Sequence, residues 1–352
     1  MGSGEGEAVR GGETPVFSVV IPVFNGERFL PEAIRSALSQ SLPPLEVLVV
    51  DDGSTDGTRA VAEGFGEPVR VLAQPNAGPS AARNRGARAA RGEWVAFLDS
   101  DDRWEPGYLR AAAAYLARQP RVGLLCTGVR VLAEDGTPTP HVILKESPGA
   151  AYSTTGMLEK DVGTILPPMV RKDLFLASGG FDETLRANED CHLWLRLSLV
   201  TEVHQIPEPL LLYRRHGANA SGNLLENARE SLRSLDLLER DHREFREAYR
   251  RPMRKLRGKE SLRLGRELLV RARGEAGDVA QARRALVAAV TCRPGRLRGW
   301  AYLALAWVPG GPAAFARWRA LELKLKGRLS GTPLAARFRG LRRRVRGSGG
   351  AG

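Results

Sequence analysis

The sequence of 352 residues has no apolar stretch long enough to cross a lipid bilayer. About 20 consecutive apolar residues are needed to span one, and the best candidate, Trp300 to Val308, is roughly half that length. Residues 1–15 are rich in Gly and Glu and contain no hydrophobic segment, so we expect a disordered leader and no secretory signal. These absences argue against an integral membrane protein and against a secreted one.

Cysteine is also scarce, with three residues in the whole chain. They lie far apart and follow no metal-ligand spacing, so we interpret all three as small buried hydrophobic residues. An odd number without a signal peptide favours a reducing, cytoplasmic environment over a disulfide framework. The three residues are Cys126, Cys191 and Cys292.

Basic residues are few in the first part of the chain and abundant in the second. Residues 1–222 carry 22 Lys and Arg against 28 Asp and Glu, a balance of −6, whereas residues 223–352 carry 31 against 12, a balance of +19. Together they give the net charge of +13. Charge segregated in this way points to an anionic partner of the second part rather than to a fold.

The first part alternates strand-like and helix-like segments. Phe17 to Val23 is a short β-branched run, typical of a strand buried on both faces. Alternation of strands and helices of this length predicts a parallel sheet with right-handed crossovers. The predicted strands are 17–23, 45–50, 69–73, 94–98, 122–127, 129–133 and 207–213, and the predicted helices are 27–40, 56–65, 79–91 and 187–199.

The second part is predicted to be almost entirely helical. Leu-rich amphipathic stretches at 224–249, 254–273, 278–291, 297–307 and 313–327 are separated by Gly and Pro. We therefore predict an α/β domain over 16–222, a basic helical extension over 223–346 and a flexible tail over 347–352.

Polar residues follow three of the predicted strands. In an open α/β sheet, ligands bind beyond the carboxyl ends of the strands. Two of these ends are acidic, and carboxylates are the ligands that Mg²⁺ and Mn²⁺ prefer when the ion also binds substrate phosphates. A solvated turn or a helix cap is the alternative reading of these acidic runs. The three segments are Pro22-Val-Phe-Asn-Gly26, Asp51-Asp-Gly-Ser-Thr-Asp-Gly57 and Asp99-Ser-Asp-Asp102.

Seven motifs in fixed order make residues 16–221 resemble a family 2 glycosyltransferase. The resemblance implies the GT-A fold, a Rossmann-like, mostly parallel sheet flanked by helices, and a role in bacterial cell-surface polysaccharide assembly. The motifs are Ser18-Val-Val-Ile-Pro-Val-Phe-Asn25, Asp51-Asp-Gly-Ser-Thr-Asp56, Asn76-Ala-Gly-Pro-Ser-Ala-Ala-Arg-Asn-Arg-Gly86, Phe97-Leu-Asp-Ser-Asp-Asp102, Gly179-Gly-Phe-Asp-Glu183, Glu189-Asp190 with Trp194-Leu-Arg-Leu197, and Tyr213-Arg-Arg-His216 with Asn219 and Ser221.

The resemblance implies a nucleotide-sugar site. Phe24 would stack near the base and Pro22 and Val23 would lend backbone contacts. Asp52 would accept the imino N–H of a uracil, thymine or guanine base, because a carboxylate is a pure acceptor. A structural alternative for the turn before Arg83 is that Ser80 caps a helix. The remaining implied contacts of the nucleotide-sugar are Asn25, Ser54, Arg83, Asn84, Asp99, Ser100 and Asp101.

The resemblance further implies a divalent cation, Mg²⁺ or Mn²⁺, that stabilises a nucleoside diphosphate leaving group. Its implied ligands are Asp99, Asp101, Asp102 and His216, and Arg214 or Arg215 is a candidate for the diphosphate. Asp190, beside Glu189, is the candidate catalytic base for an acceptor hydroxyl in an inverting reaction. Acids at a helix start are also common caps, which leaves a structural reading open.

The basic extension leads us to expect a protein bound peripherally to the inner face of the cell membrane, where a lipid-linked acceptor would be presented. Ordinary solvated helix faces are the structural alternative. Nucleic acid is a weaker one, because no stacking platform accompanies the Arg339 to Arg346 run. Two other functions stay open: a nucleotidyltransferase, which would need a Gly-rich basic loop after the first strand, and a non-catalytic scaffold that binds a nucleotide-sugar.

Overall fold

The computed structural model describes residues 14–143, 152–160, 168–217, 223–271, 276–308 and 310–317. Most of the predicted leader, the whole predicted tail, the Arg339 to Arg346 run and the motif residues Asn219 and Ser221 lie outside these ranges. The chain divides into two compact units between Met253 and Arg254.

The strands of the first unit are β1 Phe17–Val23, β2 Glu46–Asp51, β3 Val69–Ala73, β4 Trp94–Phe97, β5 Arg103–Trp104, β6 Val122–Leu132, β7 Pro138–Ile143, β8 Met169–Arg171 and β9 Glu202–Arg214. Within the described residues they form one nine-stranded mixed sheet with the order β3-β2-β1-β4-β8-β6-β9-β5, and β7 pairs with β6.

Helices cover the sheet and join its strands. Those of the first unit are α1 Leu30–Leu38, α2 Thr58–Glu63, α3 Pro79–Ala89, α4 Tyr108–Leu116, α5 Thr154–Lys160, α6 Lys172–Ala177, α7 Glu189–Leu197, α8 Leu224–Asp241 and α9 Arg243–Arg246. Helix α10 Arg250–Arg271 leads into the second unit, which also contains α11 Ala276–Cys292 and α12 Leu297–Trp307. None of the helices within the described ranges is long and apolar enough to span a membrane.

The parallel core follows the sequence prediction closely. Strands β1 and β2 are buried along their whole length, as expected of β-branched strands covered by helices on both faces. Helix α3 approaches β1 so closely that a Cβ at Gly86 would collide with Val20. The pairs β1–β2, β1–β4 and β2–β3 are all parallel.

Beyond β4 the prediction needs three corrections. The sheet becomes mixed because β8, only three residues long, pairs antiparallel with β4 and β6. The two strands predicted over 122–133 are one strand, β6, whose register with β9 shifts between Thr127 and Val129. The helix predicted over 224–249 is interrupted at His242, whose backbone is extended.

Candidate active site

The residues that follow three parallel strands lie at one edge of the sheet. Val23 at the end of β1 lies opposite Asp51 at the end of β2, and β4 flanks β1 on its other side. The residues after these strands therefore share the carboxyl edge, as the sequence pattern predicts. They are Phe24 and Asn25 after β1, Asp52 after β2, and Asp99 to Asp102 after β4.

The turns after β1 and β2 are bound to each other. Asn25 has a left-handed backbone (φ 49°), which Asn tolerates better than most residues. Its N–H donates to Ser54 Oγ over 2.9 Å, and its Oδ1 accepts from the Thr55 N–H over 2.8 Å. Phe24, just before this turn, is left 51% exposed. An exposed ring beside a fixed turn is the arrangement that stacking on a base requires.

Asp52 is buried and organises the loop that leads into α3. Its Oδ1 accepts from Gln74 Nε2 over 2.7 Å and from the Ala77 N–H over 2.9 Å, and its Oδ2 accepts from the Gly78 N–H over 2.8 Å. A carboxylate has about four acceptor positions. The three protein donors thus leave room for one more, which a base imino N–H could fill.

Arg83 on α3 joins two acidic segments that are distant in sequence. Its guanidinium bonds Asp99 Oδ1 and Glu189 Oε1, each over 2.8 Å, and it lies over the ring of Phe181 at 5.5 Å. Burial opposes its charge, but the coulombic attraction of Asp99 and Glu189 raises the pKa of Arg83. This bridge places the head of α7 beside the end of β4.

The side chain of Asn84, the residue after Arg83, is hydrogen-bonded to other residues of the protein. It is 1% exposed. Its Nδ2 donates to Phe181 O over 2.9 Å and to Glu183 Oε1 over 2.8 Å, and its Oδ1 accepts from the Phe181 N–H over 2.9 Å. The structure thus gives Asn84 a clear positioning role: it anchors the Gly179-Gly-Phe-Asp-Glu183 segment to α3. Ser80, whose hydroxyl was an alternative cap, makes no side-chain cap of α3.

Asp101 and His216 form the pair that links β4 to the end of β9. The distance between Asp101 Oδ2 and His216 Nε2 is 2.8 Å, and the imidazole packs on Phe29 with 5.1 Å between ring centroids. Burial and the negative charge of Asp99 raise the pKa of Asp101, against the lowering effect of His216. Two residues that the sequence predicts as metal ligands are therefore in direct contact.

Asp102 is more deeply buried than its neighbours, at 1% exposed. Its Oδ1 accepts from the Arg214 N–H over 2.8 Å, whereas its Oδ2 has no hydrogen-bond partner among the described residues. Burial, together with the charges of Asp101 and Asp99, raises the pKa of Asp102 well above its usual range. A buried carboxyl oxygen without a donor is costly, so this end of β4 is suited to a cation.

Arg214 is a structural anchor. Its side chain is 1% exposed, and it donates to Asp101 O over 3.0 Å, Glu134 O over 2.9 Å and Glu32 Oε2 over 2.8 Å. A guanidinium held on these sides is not presented to a ligand. The prediction of a diphosphate contact therefore remains only with Arg215, which is exposed.

Asp190 lies in the first turn of α7, directly after Glu189. Its Oδ1 accepts from the Cys191 N–H over 2.6 Å. Burial, with the charge of Glu189, raises the pKa of Asp190 to about 6, although the Cys191 N–H and Arg83 act in the opposite direction. A carboxylate poised near neutral pH is suited to accept a proton.

Four of the seven motifs and the acidic turns at this edge of the sheet lie within the residues that a family model matches. The model of the Glycosyl transferase family 2 matches residues 18–168, which contain β1 to β7 and the acidic turns after β2 and β4. Residues 18–168 form a family 2 glycosyltransferase domain.

Two curated relatives illustrate the range of similarity to this chain. An uncharacterized glycosyltransferase of Rickettsia typhi is 28% identical over 230 residues, which cover 62% of this chain and 69% of the relative. TuaG of Bacillus subtilis, named for teichuronic acid biosynthesis, is 36% identical over 133 residues, which cover 37% of this chain and 52% of TuaG. This chain therefore spans about half of TuaG.

Solved structures share the fold. S. aureus TarS 1–349 in complex with UDP-GlcNAc aligns with a TM-score of 0.62 at 20% identity, over 86% of this chain and 89% of that one. The mannosyltransferase PcManGT of Pyrobaculum calidifontis, in complex with GDP-Man and Mn²⁺, aligns with a TM-score of 0.53 at 18% identity, over 87% and 88% of the two chains. At this identity the likeness establishes the GT-A fold, as the motifs predict.

The acidic edge of this glycosyltransferase domain does not hold a ready-made metal cage. Within the described ranges, no three His, Cys, Asp or Glu side chains are grouped as a metal ion requires. Asp101 and His216 bond each other, and Asp99 faces Arg83. Mg²⁺, however, commonly uses only one or two protein carboxylates and completes its shell with water and substrate phosphates. The donor types present at this edge fit such an ion.

Sequence reasoning overlooked several residues that support the site. Glu32 on α1 forms ion pairs with both Arg214 and Arg103. Glu32 and Arg214 are 182 positions apart in the sequence, so no local pattern predicts their contact. Asn188, with a left-handed backbone (φ 61°), precedes α7 and donates from Nδ2 to Asn227 O over 3.0 Å. An Asn directly before two acids at a helix start was an available signal for this position.

Proposed function

We propose that the chain transfers a sugar from a nucleoside-diphosphate sugar to an acceptor hydroxyl, with inversion at the anomeric carbon. The observation that carries this proposal is the Arg83 bridge, because it holds the head of α7, and with it Asp190, against the end of β4. A nucleotide bound at the strand ends and Asp190, the general base at the head of α7, would then lie on either side of the same sugar.

The donor side would be formed by the turns after β1 and β2. Phe24 offers an exposed ring, and Asp52 keeps an acceptor position for an imino N–H. That chemistry selects a UDP, dTDP or GDP donor over an adenine nucleotide. The nucleotide complexes of TarS and PcManGT support a donor of this class.

A divalent cation, Mg²⁺ or Mn²⁺, would be held by Asp101 and His216 with Asp99 and Asp102 close by. Once bound, it would neutralise charge on the diphosphate leaving group. The Mn²⁺ bound to PcManGT with GDP-Man supports this assignment. Ser100, Asn25 and Ser54 would complete the polar wall beside the sugar-phosphate.

Asp190 would act as the general base. The acceptor oxygen forms a bond to the anomeric carbon, the bond from that carbon to the diphosphate oxygen breaks with its electron pair, and the hydroxyl proton passes to Asp190. Attack opposite the leaving group inverts the configuration without an enzyme nucleophile. Glu189, paired with Arg83, would keep the α7 head in place.

The acceptor would belong to cell-surface glycan or glycolipid assembly, a role for which the teichuronic acid relative TuaG gives support. A lipid-linked acceptor on the cytoplasmic face of the cell membrane suits the basic second part of the chain.

The test is incubation of the purified chain with UDP-, dTDP- and GDP-sugars and Mn²⁺. We expect slow hydrolysis of one class, which releases nucleoside diphosphate and a sugar whose first-formed anomer, followed by NMR, is inverted. Release of a nucleoside monophosphate or of pyrophosphate would instead indicate nucleotidyl transfer. No turnover, with nucleotide binding retained, would indicate a scaffold.

A further inference from the structure

Helix α12 of the second unit exposes an apolar stripe. Its outward positions recur at helical spacing and continue into the residue after the helix. Leu297 is 80% exposed, Trp300 48%, Trp307 62% and Val308 55%, and Ala301 and Ala304 between them are also exposed. A contiguous apolar patch of this kind on a soluble surface marks an interaction site.

The inner face of the same helix already has partners. Gly299 lies against Val290 of α11, and the rings of Tyr302 and Phe315 are 5.1 Å apart. Gly299 and Ala306 are buried. The helix is therefore apolar on both faces, and its exposed stripe is not needed for its packing on α11.

Arginines surround the stripe. From Val279 to Leu321 the sequence has seven Arg and no Asp or Glu. Arg296 and Arg298 are exposed at the start of α12, and Arg283 lies over the Trp307 ring at 4.2 Å. Partial desolvation of its guanidinium, together with the charges of Arg293 and Arg298, lowers the pKa of Arg296, as expected for cations crowded together.

This combination decides the kind of partner. A second copy would bring one cationic face against another, which is unfavourable because a two-fold interface pairs a surface with itself. An anionic lipid surface instead accepts Trp and Leu at the headgroup level while Arg reaches phosphate. Trp300 and Trp307 lie two helical turns apart, as in a helix that rests in the plane of the interface.

We propose that the exposed face of α12, defined by Leu297, Trp300, Trp307 and Val308 with Arg296 and Arg298, docks on an anionic membrane. This surface would face the membrane in the proposed glycosyltransferase. The proposal rests on that function only in that docking would bring the active site to a lipid-linked acceptor. Membrane binding itself does not depend on the chemistry at the strand ends.

The test is flotation of the full chain with phosphatidylcholine vesicles that contain 30 mol% phosphatidylglycerol, compared with pure phosphatidylcholine, at low and high salt. We expect partitioning to the anionic vesicles at least tenfold above that to neutral ones, and weaker at high salt. The pair Leu297→Gln and Trp307→Gln should lower partitioning at least tenfold. Arg296→Gln with Arg298→Gln should also lower it, by about fivefold for each charge removed.

The matched control carries Leu176→Gln and Val200→Gln, which are exposed apolar residues of the first unit at 45% and 68%; it should bind vesicles like the wild type. Each variant should keep the wild-type thermal shift with nucleoside diphosphate and Mn²⁺, which separates failure of docking from failure of the active site. Absence of binding to anionic vesicles would overturn the proposal. Binding of the α12 variants at the wild-type level would also overturn it. The same holds for dimerisation that depends on α12 without vesicle binding, and for binding of a 20-nucleotide RNA in place of vesicles.

Discussion

At the scale of single residues, the proposed general base Asp190 lies where burial disfavours its ionised form. Its pKa of about 6 comes from burial beside Glu189, so the ionised form is present above that pH and lost below it. A base must be ionised to accept a proton. Sugar transfer should therefore fall as the pH drops through about 6 and stay level above it.

Replacement of Asp190 tests the base directly. Asp190→Asn should lower turnover by ~10²-fold or more and leave donor binding near the wild-type level, since the change removes a proton acceptor and little volume. Steady-state kinetics with donor titration measures both quantities. Asp173→Asn, at an exposed carboxylate paired with Arg171, is the matched control and should retain activity. Wild-type turnover in Asp190→Asn would remove Asp190 from the role.

The same replacement should stabilise the protein near neutral pH. Because the pKa of Asp190 is higher in the folded chain than in the unfolded one, ionisation lowers stability as the pH rises from about 4 to about 6. Asn cannot ionise. The melting temperature of Asp190→Asn should match that of the wild type near pH 4 and exceed it above pH 6. A gain of the same size at both pH values would show that ionisation is not the cause.

At the scale of elements, α8 fixes the head of α7. Asn188 bonds Asn227 of α8, and Glu230 Oε2 of α8 accepts from the Arg186 N–H over 2.8 Å. Glu189 and Asp190 follow Asn188 directly. These contacts explain how two acids in the first turn of a short helix keep a defined position.

The left-handed backbone of Asn188 can be separated from its side-chain bond. Asn188→Ala removes the bond and imposes a conformational cost of about 1–2 kcal/mol, whereas Asn188→Gly removes the bond and suits the positive φ. If the backbone conformation positions Asp190, Asn188→Ala should lower kcat clearly more than Asn188→Gly, with similar donor KM. Equal loss in both variants would assign the effect to the side chain.

Close packing of α3 on β1 is a second property of elements. Gly86→Ala should destabilise the fold by about 1–3 kcal/mol, since the added methyl meets Val20 and Val50. Gly107→Ala, where nothing lies within 4 Å of the added Cβ, is the control. Urea unfolding measures both. An unchanged midpoint for Gly86→Ala would mean that α3 can move away from the sheet.

Elements with strong local patterns could be predicted from the sequence, and those defined by distant pairing could not. Strand β1 and helix α3 follow from a β-branched run and from Gly78-Pro79 before a helical stretch. Strand β8 has only three residues, and its antiparallel pairing depends on β4 and β6, which lie far away in the chain. The register shift in β6 has the same origin.

The candidate site divides in a similar way. The acidic turns after β2 and β4 could be predicted from the sequence, because polar residues at strand ends have few structural reasons to cluster. The anchoring of Arg214 by Glu32 and of Asn84 by Phe181 has no local signature. A motif residue can thus hold other residues of the candidate site in place, as Asn84 and Arg214 do.

At the scale of the whole molecule, we propose different roles for the acidic strand ends and for the basic second part of the chain. In this proposal a cation lets the first part, with its net negative charge, accept a diphosphate, and the second part, with its net positive charge, binds an anionic membrane. Loss of vesicle binding and loss of nucleotide binding should therefore be independent, which the α12 variants and Asp101→Asn, after β4, can establish separately.

The most direct measurement is calorimetric titration of UDP, dTDP, GDP and ADP into the protein, with Mn²⁺ and with EDTA. We expect one of the first three nucleotides to bind in Mn²⁺, at least tenfold weaker binding in EDTA or in Asp101→Asn, and no preference for ADP. Binding that is indifferent to the metal and to Asp101, or no binding of any of the four, would contradict a cation-assisted diphosphate site at the carboxyl edge of the sheet.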